Sequence, residues 1–165
     1  MLNKDQKNIM NTTIRLMTVD DYSQVHRVDI LTQKQYLGTK FDQMSKKEQD
    51  SHLVSRKSEF QINVDSGYCF VALNNKKIIG FLLAYETLPF RNTLYIHYIG
   101  VNPKTQGKGI GLLLYQKLIK KAKQAGIKKI WSLINIDNPQ SMKLHEKIGF
   151  KLNDRKEAIL DMNKC

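Results

Sequence analysis

Cysteine is nearly absent from this 165-residue chain: Cys69 lies in an apolar run and Cys165 is the last residue. Two such positions suggest no disulfide framework, and a reducing, cytoplasmic setting fits them. Proline is equally scarce, at three, and no linker, repeat or low-complexity tract breaks the chain. No apolar run approaches the length of a membrane span, and Met1 to Asn11 holds no apolar segment of the secretory kind. Residues 1–11 read as a flexible leader and 12–165 as one domain, long enough to bury a core without disulfides or metal. No His, Cys, Asp or Glu cluster has metal-ligand spacing, so neither a metal nor a membrane partner is expected.

One sign of charge is also missing from a long stretch. From Thr87 to Ile136 there is no Asp or Glu, while Arg91, Lys104, Lys108, Lys117, Lys120, Lys121, Lys123, Lys128 and Lys129 all fall there. The chain carries a net charge of +12, and a field of this sign concentrates polyanionic ligands. For Lys117 to Lys123 a solvated helix face explains the charge as well. No helix-turn-helix, zinc-finger or RNA-binding signature accompanies it, so nucleic acid is not expected as a partner.

Within the acid-free stretch, a β-rich run from Leu94 to Val101 ends in Asn102-Pro103-Lys104-Thr105-Gln106-Gly107-Lys108-Gly109-Ile110-Gly111. An apolar helical pattern follows at once, to Ala125. Glycines admit close backbone approach, and a helix N-terminus presents unpaired N–H groups with partial positive charge, so this is a phosphate-binding arrangement. A dinucleotide fingerprint is excluded because Leu112 stands where its third glycine belongs, and no Gly-Lys-Ser/Thr string makes a P-loop.

Gln106, Gly109 and Gly111 instead match Gln-x-x-Gly-x-Gly, and the segment resembles the acyl-CoA pyrophosphate loop of the GCN5-related N-acetyltransferases, the GNAT family. A second segment, Asn138-Pro139-Gln140-Ser141-Met142-Lys143-Leu144-His145-Glu146-Lys147-Ile148-Gly149-Phe150, resembles that family's other signature, in the same order along the chain. Ile14 to Met17 with Asp20 and Asp21 resembles its opening strand and helix.

Periodicity gives strands at Thr12 to Met17, Tyr68 to Leu73, Lys77 to Tyr85, Thr93 to Val101 and Lys129 to Asn135. Helices are expected over Asp20 to Gln35, Asp42 to Ile62 and Gly109 to Ala125, and after Asn138, a good cap followed by Pro139. Asn74-Asn75 reads as a hairpin turn. Two short strands, Phe150 to Leu152 and Glu157 to Met162, complete the order β-α-α-β-β-β-α-β-α-β-β. The fold class is α/β, an α+β layered domain with a mixed, mostly antiparallel central sheet and helices on both faces. The resemblance implies the same order.

It also implies acetyl-CoA as cosubstrate, a primary amine on a small molecule or peptide as acceptor, and direct transfer in a ternary complex. A homodimer would be in keeping with the family. Carried over residue by residue, cofactor contacts fall on Ile99, Val101, Gln106, Gly107, Lys108, Gly109, Ile110, Gly111 and Asn138. The fourth strand is expected to splay from the fifth, freeing backbone groups for the pantetheine arm and, near Val101, for the oxyanion. His145 stands where members often carry a Tyr facing the leaving thiolate, and it is expected as a catalytic residue that orients or protonates that thiolate. Glu86 and His97 are the candidate general bases. Tyr95 and Leu133 occupy positions where some subfamilies place a base glutamate, so those carry-overs fail. A domain of this fold that binds acyl-CoA or a protein without turnover is the alternative. Because side chains alternate along a strand, Tyr95, His97, Ile99 and Val101 are expected on one face.

Overall fold

The computed structural model describes residues 11–88, 91–156, 158 and 160. The chain forms two compact units, Met1–Leu133 and Ile134–Cys165. The first holds a five-stranded sheet in the order β1-β2-β3-β4-β5: β1 Thr12–Leu16, β2 Phe70–Asn74, β3 Lys77–Glu86, β4 Thr93–Val101 and β5 Lys129–Ser132. The β1/β2, β2/β3 and β3/β4 pairs are antiparallel and β4/β5 is parallel.

Helix α1 (Tyr22–Leu37) covers one face of this sheet and α5 (Ile110–Gln124) the other. On the α1 side Val25 and Val28 join Val71, Phe81, Leu83 and Phe60 in one buried cluster. Toward α5, Ile110, Leu114, Tyr115, Leu118 and Ala122 are buried at helical spacing, and a Cβ on Gly80 would come within 3.2 Å of Ile110. Burying side chains of this size stabilises by about 1.5–3 kcal/mol each. The leader expected before residue 12 lies, but for Asn11, outside the described residues.

The single helix expected over residues 42–62 is three short ones, α2 (Thr39–Gln43), α3 (Lys46–His52) and α4 (Lys57–Asp65). Met44 and Leu53 are extended and interrupt it, and Ser45 restarts the chain as a capping box with Glu48. What fixes the second break is a long-range contact. Asp29 of α1, fully buried, accepts at Oδ2 from the Val54 and Ser55 N–H groups at 2.8 Å and from the Ser55 hydroxyl at 2.7 Å. Desolvation pushes the Asp29 pKa up, and the Ser55 and Val54 hydrogen bonds oppose it. His26 Nδ1 lies 3.1 Å from the same Ser55 hydroxyl. With its proton turned to Asp29, that oxygen accepts from the ring. Ser55 is thus a strut rather than a nucleophile, and it seats α4 against α1.

Three further expectations shift. The hairpin turn is Asn75-Lys76, both at positive φ (48° and 65°) as a type I′ turn requires, one residue beyond Asn74-Asn75. Strand β5 stops at Ser132 instead of reaching Asn135, and residues 150–152 form no strand. The strand expected over 157–162 lies outside the described residues, except for two isolated positions. In the second unit, α6 (Pro139–Ile148) is capped by Asn138, whose side chain accepts from Ser141 N–H at 3.0 Å. It ends at Gly149, φ 103°.

Candidate active site

Strand β4 organises the site. It pairs with β5 only from Thr93 to Ile96, so its outer edge from His97 to Val101 has no strand partner among the described residues. On its inner edge the register with β3 slips: Leu83 faces Tyr98, but Ala84 faces Ile96. His97 is the extra residue, a β-bulge, and a bulge resets side-chain alternation. The expectation that Tyr95, His97, Ile99 and Val101 share a face is therefore corrected. Tyr95 pairs with Tyr85 and packs edge-on to it, rings 5.6 Å apart, and both rings lie near His97, at 6.1 and 6.2 Å. Ile99 and Val101 pair with Leu82 and Gly80 on the other face. Asn102 N–H points inward to Ile79 O at 2.8 Å. Peptide groups alternate along a strand, so Val101 and Ile99 turn theirs to the open edge.

After Val101 the chain makes one tight turn, Pro103–Thr105, with Asn102 accepting from Lys104 N–H at 3.0 Å. Gly107 and Gly109 follow at φ +76° and +78°, and a Cβ at either would meet nothing within 4 Å. Glycine is required here by backbone conformation and not by lack of room. Gly109 caps α5, with Ile110 and Gly111 as its first residues, so the first turn's N–H groups have no intrahelical acceptor. The Gln106 side chain is committed to protein contacts: it donates to Val101 O at 3.0 Å and forms a reciprocal amide pair with Gln35 of α1. Lys108 lies on the hairpin side with Lys77 and Thr105, around a hollow of about 280 Å³.

Between α4 and the ends of β3 and β4 lies a cleft of about 520 Å³, lined by Glu59, Ile62, Asn63, Ser66, Tyr68, Tyr85, Glu86 and His97. Glu86 and His97, both expected as bases, thus share one cavity. Glu86 uses one carboxylate oxygen to accept from Asn92 N–H at 2.8 Å. Pro89 and Phe90, in the loop beyond it, lie outside the described residues. Partial desolvation lowers the His97 pKa, Glu59 works against that shift, and Arg56 adds to it. Behind the cleft, Tyr98 is hydrogen-bonded to Thr32 at 3.1 Å, and burial pushes its pKa up to about 12. It stays a protonated structural group. Sequence reasoning missed Ile62, Asn63, Ser66, Tyr68 and Tyr85 as cleft residues.

In the second unit His145 is buried, 2% exposed, and packs edge-on to Phe150 with rings 5.0 Å apart. Its Nδ1 is 2.8 Å from Ser141 O. A carbonyl only accepts, so Nδ1 carries the proton, and Nε2 of the neutral ring is an acceptor. Desolvation lowers its pKa, with the Ser141 hydrogen bond acting in the other direction. Among the described residues no group of three or more His, Cys, Asp or Glu side chains is placed to hold a metal ion. No described helix is long and apolar enough to cross a membrane.

A mixed sheet open along its fourth strand, then a glycine loop leading into a helix, defines an N-acetyltransferase fold. A sequence model of the acetyltransferase (GNAT) family matches residues 31–150, and the chain belongs to that family. It is 31% identical to an L-2,4-diaminobutyric acid acetyltransferase of Shouchella clausii over 49% of this chain and 46% of that one. It is 34% identical to the ribosomal protein bS18 alanine N-acetyltransferase of Haemophilus influenzae over 67% and 74%. The chain spans about half the length of the diaminobutyric acid acetyltransferases it matches. The PaiA N-acetyltransferase of Thermoplasma acidophilum, solved with coenzyme A, superposes with a TM-score of 0.75 at 18% identity, over 88% of this chain and 92% of that one.

Proposed function

We propose that this chain transfers the acetyl group of acetyl-CoA to a primary amine by direct attack within a ternary complex. The observation that carries the reading is the arrangement around β4. Its open edge runs into the glycine loop and the start of α5, while its bulge turns His97 into a cleft of about 520 Å³. Cofactor and acceptor would meet across one strand. Backbone N–H groups of the loop from Gly107 to Gly111, at the α5 N-terminus, would hold the pyrophosphate. Gln106 would shape the loop, its side-chain amide being engaged with Gln35 and Val101 and its N–H with Pro103 O at 3.4 Å. The diamino-acid and ribosomal-protein acetyltransferases among the relatives both act on amines, which supports the acceptor class.

In the reaction the amine nitrogen attacks the thioester carbonyl, forming the C–N bond. Outward N–H groups near Val101 would stabilise the oxyanion, at about 3 kcal/mol for one preorganised donor. The C–S bond then breaks, and the proton lost from nitrogen ends on the thiolate. His97, kept neutral at pH 7 by its lowered pKa, would take that proton through water. A neutral His145 has no proton at Nε2 to give to sulfur, and only its imidazolium would act as an acid there. We therefore assign His145 a structural part at neutral pH and His97 the proton transfer.

The test is CoA-thiol release from acetyl-CoA with a panel of amines, alongside CoA binding by calorimetry. Saturable release with at least one class of amine is expected. CoA binding without release from any amine would instead favour a CoA-binding domain without turnover.

A further inference from the structure

The cleft beside His97 is built for more than a neutral amine. Of its lining residues Tyr85 on β3 begins a run of aromatic rings across three strands: Tyr95 on β4 packs against it at 5.6 Å and Trp131 on β5 against Tyr95 at 4.5 Å. Its wall holds two carboxylates in a chain of net charge +12. Glu59 is paired with Arg56 at 3.0 Å. Glu86 is exposed, is the last acid before the acid-free stretch, and forms no ion pair with a described cation. Lys121 lies 5.7 Å above the Tyr68 ring, and among the described residues no cation is placed over the Tyr85 or Tyr95 ring. Aromatic faces and an uncompensated carboxylate both attract a positive charge.

We propose that the cleft selects acceptors bearing a second positive charge, a flexible diamine or basic amino acid. The reacting amine stands beside His97 and the distal ammonium lies over the Tyr85–Tyr95 rings against Glu86. This rests on the acetyltransferase reading for the first amine, but the second-charge site is separately measurable. A neutral His97 leaves the reacting end free of repulsion, and the distal ammonium, needing no deprotonation, is the group the carboxylate recognises.

The test titrates the protein–CoA complex with 1,4-diaminobutane, butylamine and benzylamine by calorimetry, and measures thiol release from acetyl-CoA with the same amines. The diamine is expected to bind at least tenfold more tightly than butylamine, with kcat/KM following the same order. In Glu86→Gln that preference should fall below threefold, with CoA affinity within twofold of the parent as the folding control. Arg56→Gln, which releases Glu59 from its partner, should widen the preference. Equal affinity for diamine and monoamine, tightest binding of benzylamine, or a preference untouched by Glu86→Gln would overturn the proposal. Tight diamine binding without thiol release would uphold this site while ending the acetyltransferase reading.

Discussion

Gln35 of α1 and Gln106 of the glycine loop, 71 residues apart, exchange two amide hydrogen bonds, of 3.0 and 2.8 Å. The Gln106 amide also donates to Val101 O, so a helix, a loop and a strand end are tied at one side chain. Gln35→Ala should therefore loosen the loop rather than the fold. Two exposed hydrogen bonds contribute about 0.5–1.5 kcal/mol each at most, so CoA affinity should weaken roughly three- to tenfold. Calorimetry reads this directly, and a Tm within a few degrees of the parent should accompany it.

Gly109 sits at φ +78° with open space around it. Gly109→Val should lower stability by about 1–2 kcal/mol through backbone strain alone and weaken CoA binding more than tenfold as the α5 N–H groups turn away. Gly109→Asn, which enters the left-handed region more readily, should recover most of both. Equal losses for Val and Asn would mean that conformation is not the reason for glycine there.

Burial lowers the His97 pKa, so the base stays neutral below the usual histidine range. The ratio of kcat/KM between parent and His97→Gln cancels the ionisation of the amine substrate. That ratio should be about a hundredfold at pH 7.5 and should fall only below about pH 6.5. A ratio near one at every pH removes His97 from the proton path.

The buried His145 ring is held neutral, its pKa lowered by desolvation. Unfolded histidine binds a proton first as pH falls below about 6.5, so the folded state loses stability there, by up to about 1.4 kcal/mol per pH unit. His145→Asn, whose amide retains a donor for Ser141 O, should be less stable than the parent at pH 7.5. Denaturant melts at pH 5.5 should find that gap much reduced, whereas an unchanged gap would mean the ring is already charged. At pH 8 kcat should lie within about threefold of the parent, since the neutral ring gives sulfur no proton.

Gly100 has no room for a methyl group: a Cβ would fall 2.7 Å from Phe81 Cε1 and 3.2 Å from Tyr98 Cε1. Gly100→Ala should cost about 1–3 kcal/mol by overpacking the Phe81–Tyr98 stack. Thermal melts would check it.

The glycine loop and the α6 cap were legible because both depend on residue type at fixed local spacing: Gly107 and Gly109 for positive φ, Asn138 and Pro139 for a helix start. Ser45 and Glu48 carried a capping-box signal for α3 as well, hidden by the weak periodicity around them. The bulge at His97 left no such mark. Tyr95, His97, Ile99 and Val101 alternate perfectly in sequence, and only pairing with Leu83 and Ala84 reveals the slip. The cleft wall was equally silent, since α4 is seated by Asp29 and Ser55, 26 residues apart.

β5 leaves the sheet at Ser132 while β4 runs on to Val101. A ligand that paired with the β4 edge beyond Ile96, which no described strand covers, would be as slender as a peptide chain and carry amide donors and acceptors at comparable intervals. The pantetheine arm of CoA, an extended chain with two amide groups, meets both conditions. On the function proposed here, the cofactor is chemically a thioester donor and architecturally a missing strand, so that loading the enzyme finishes its sheet.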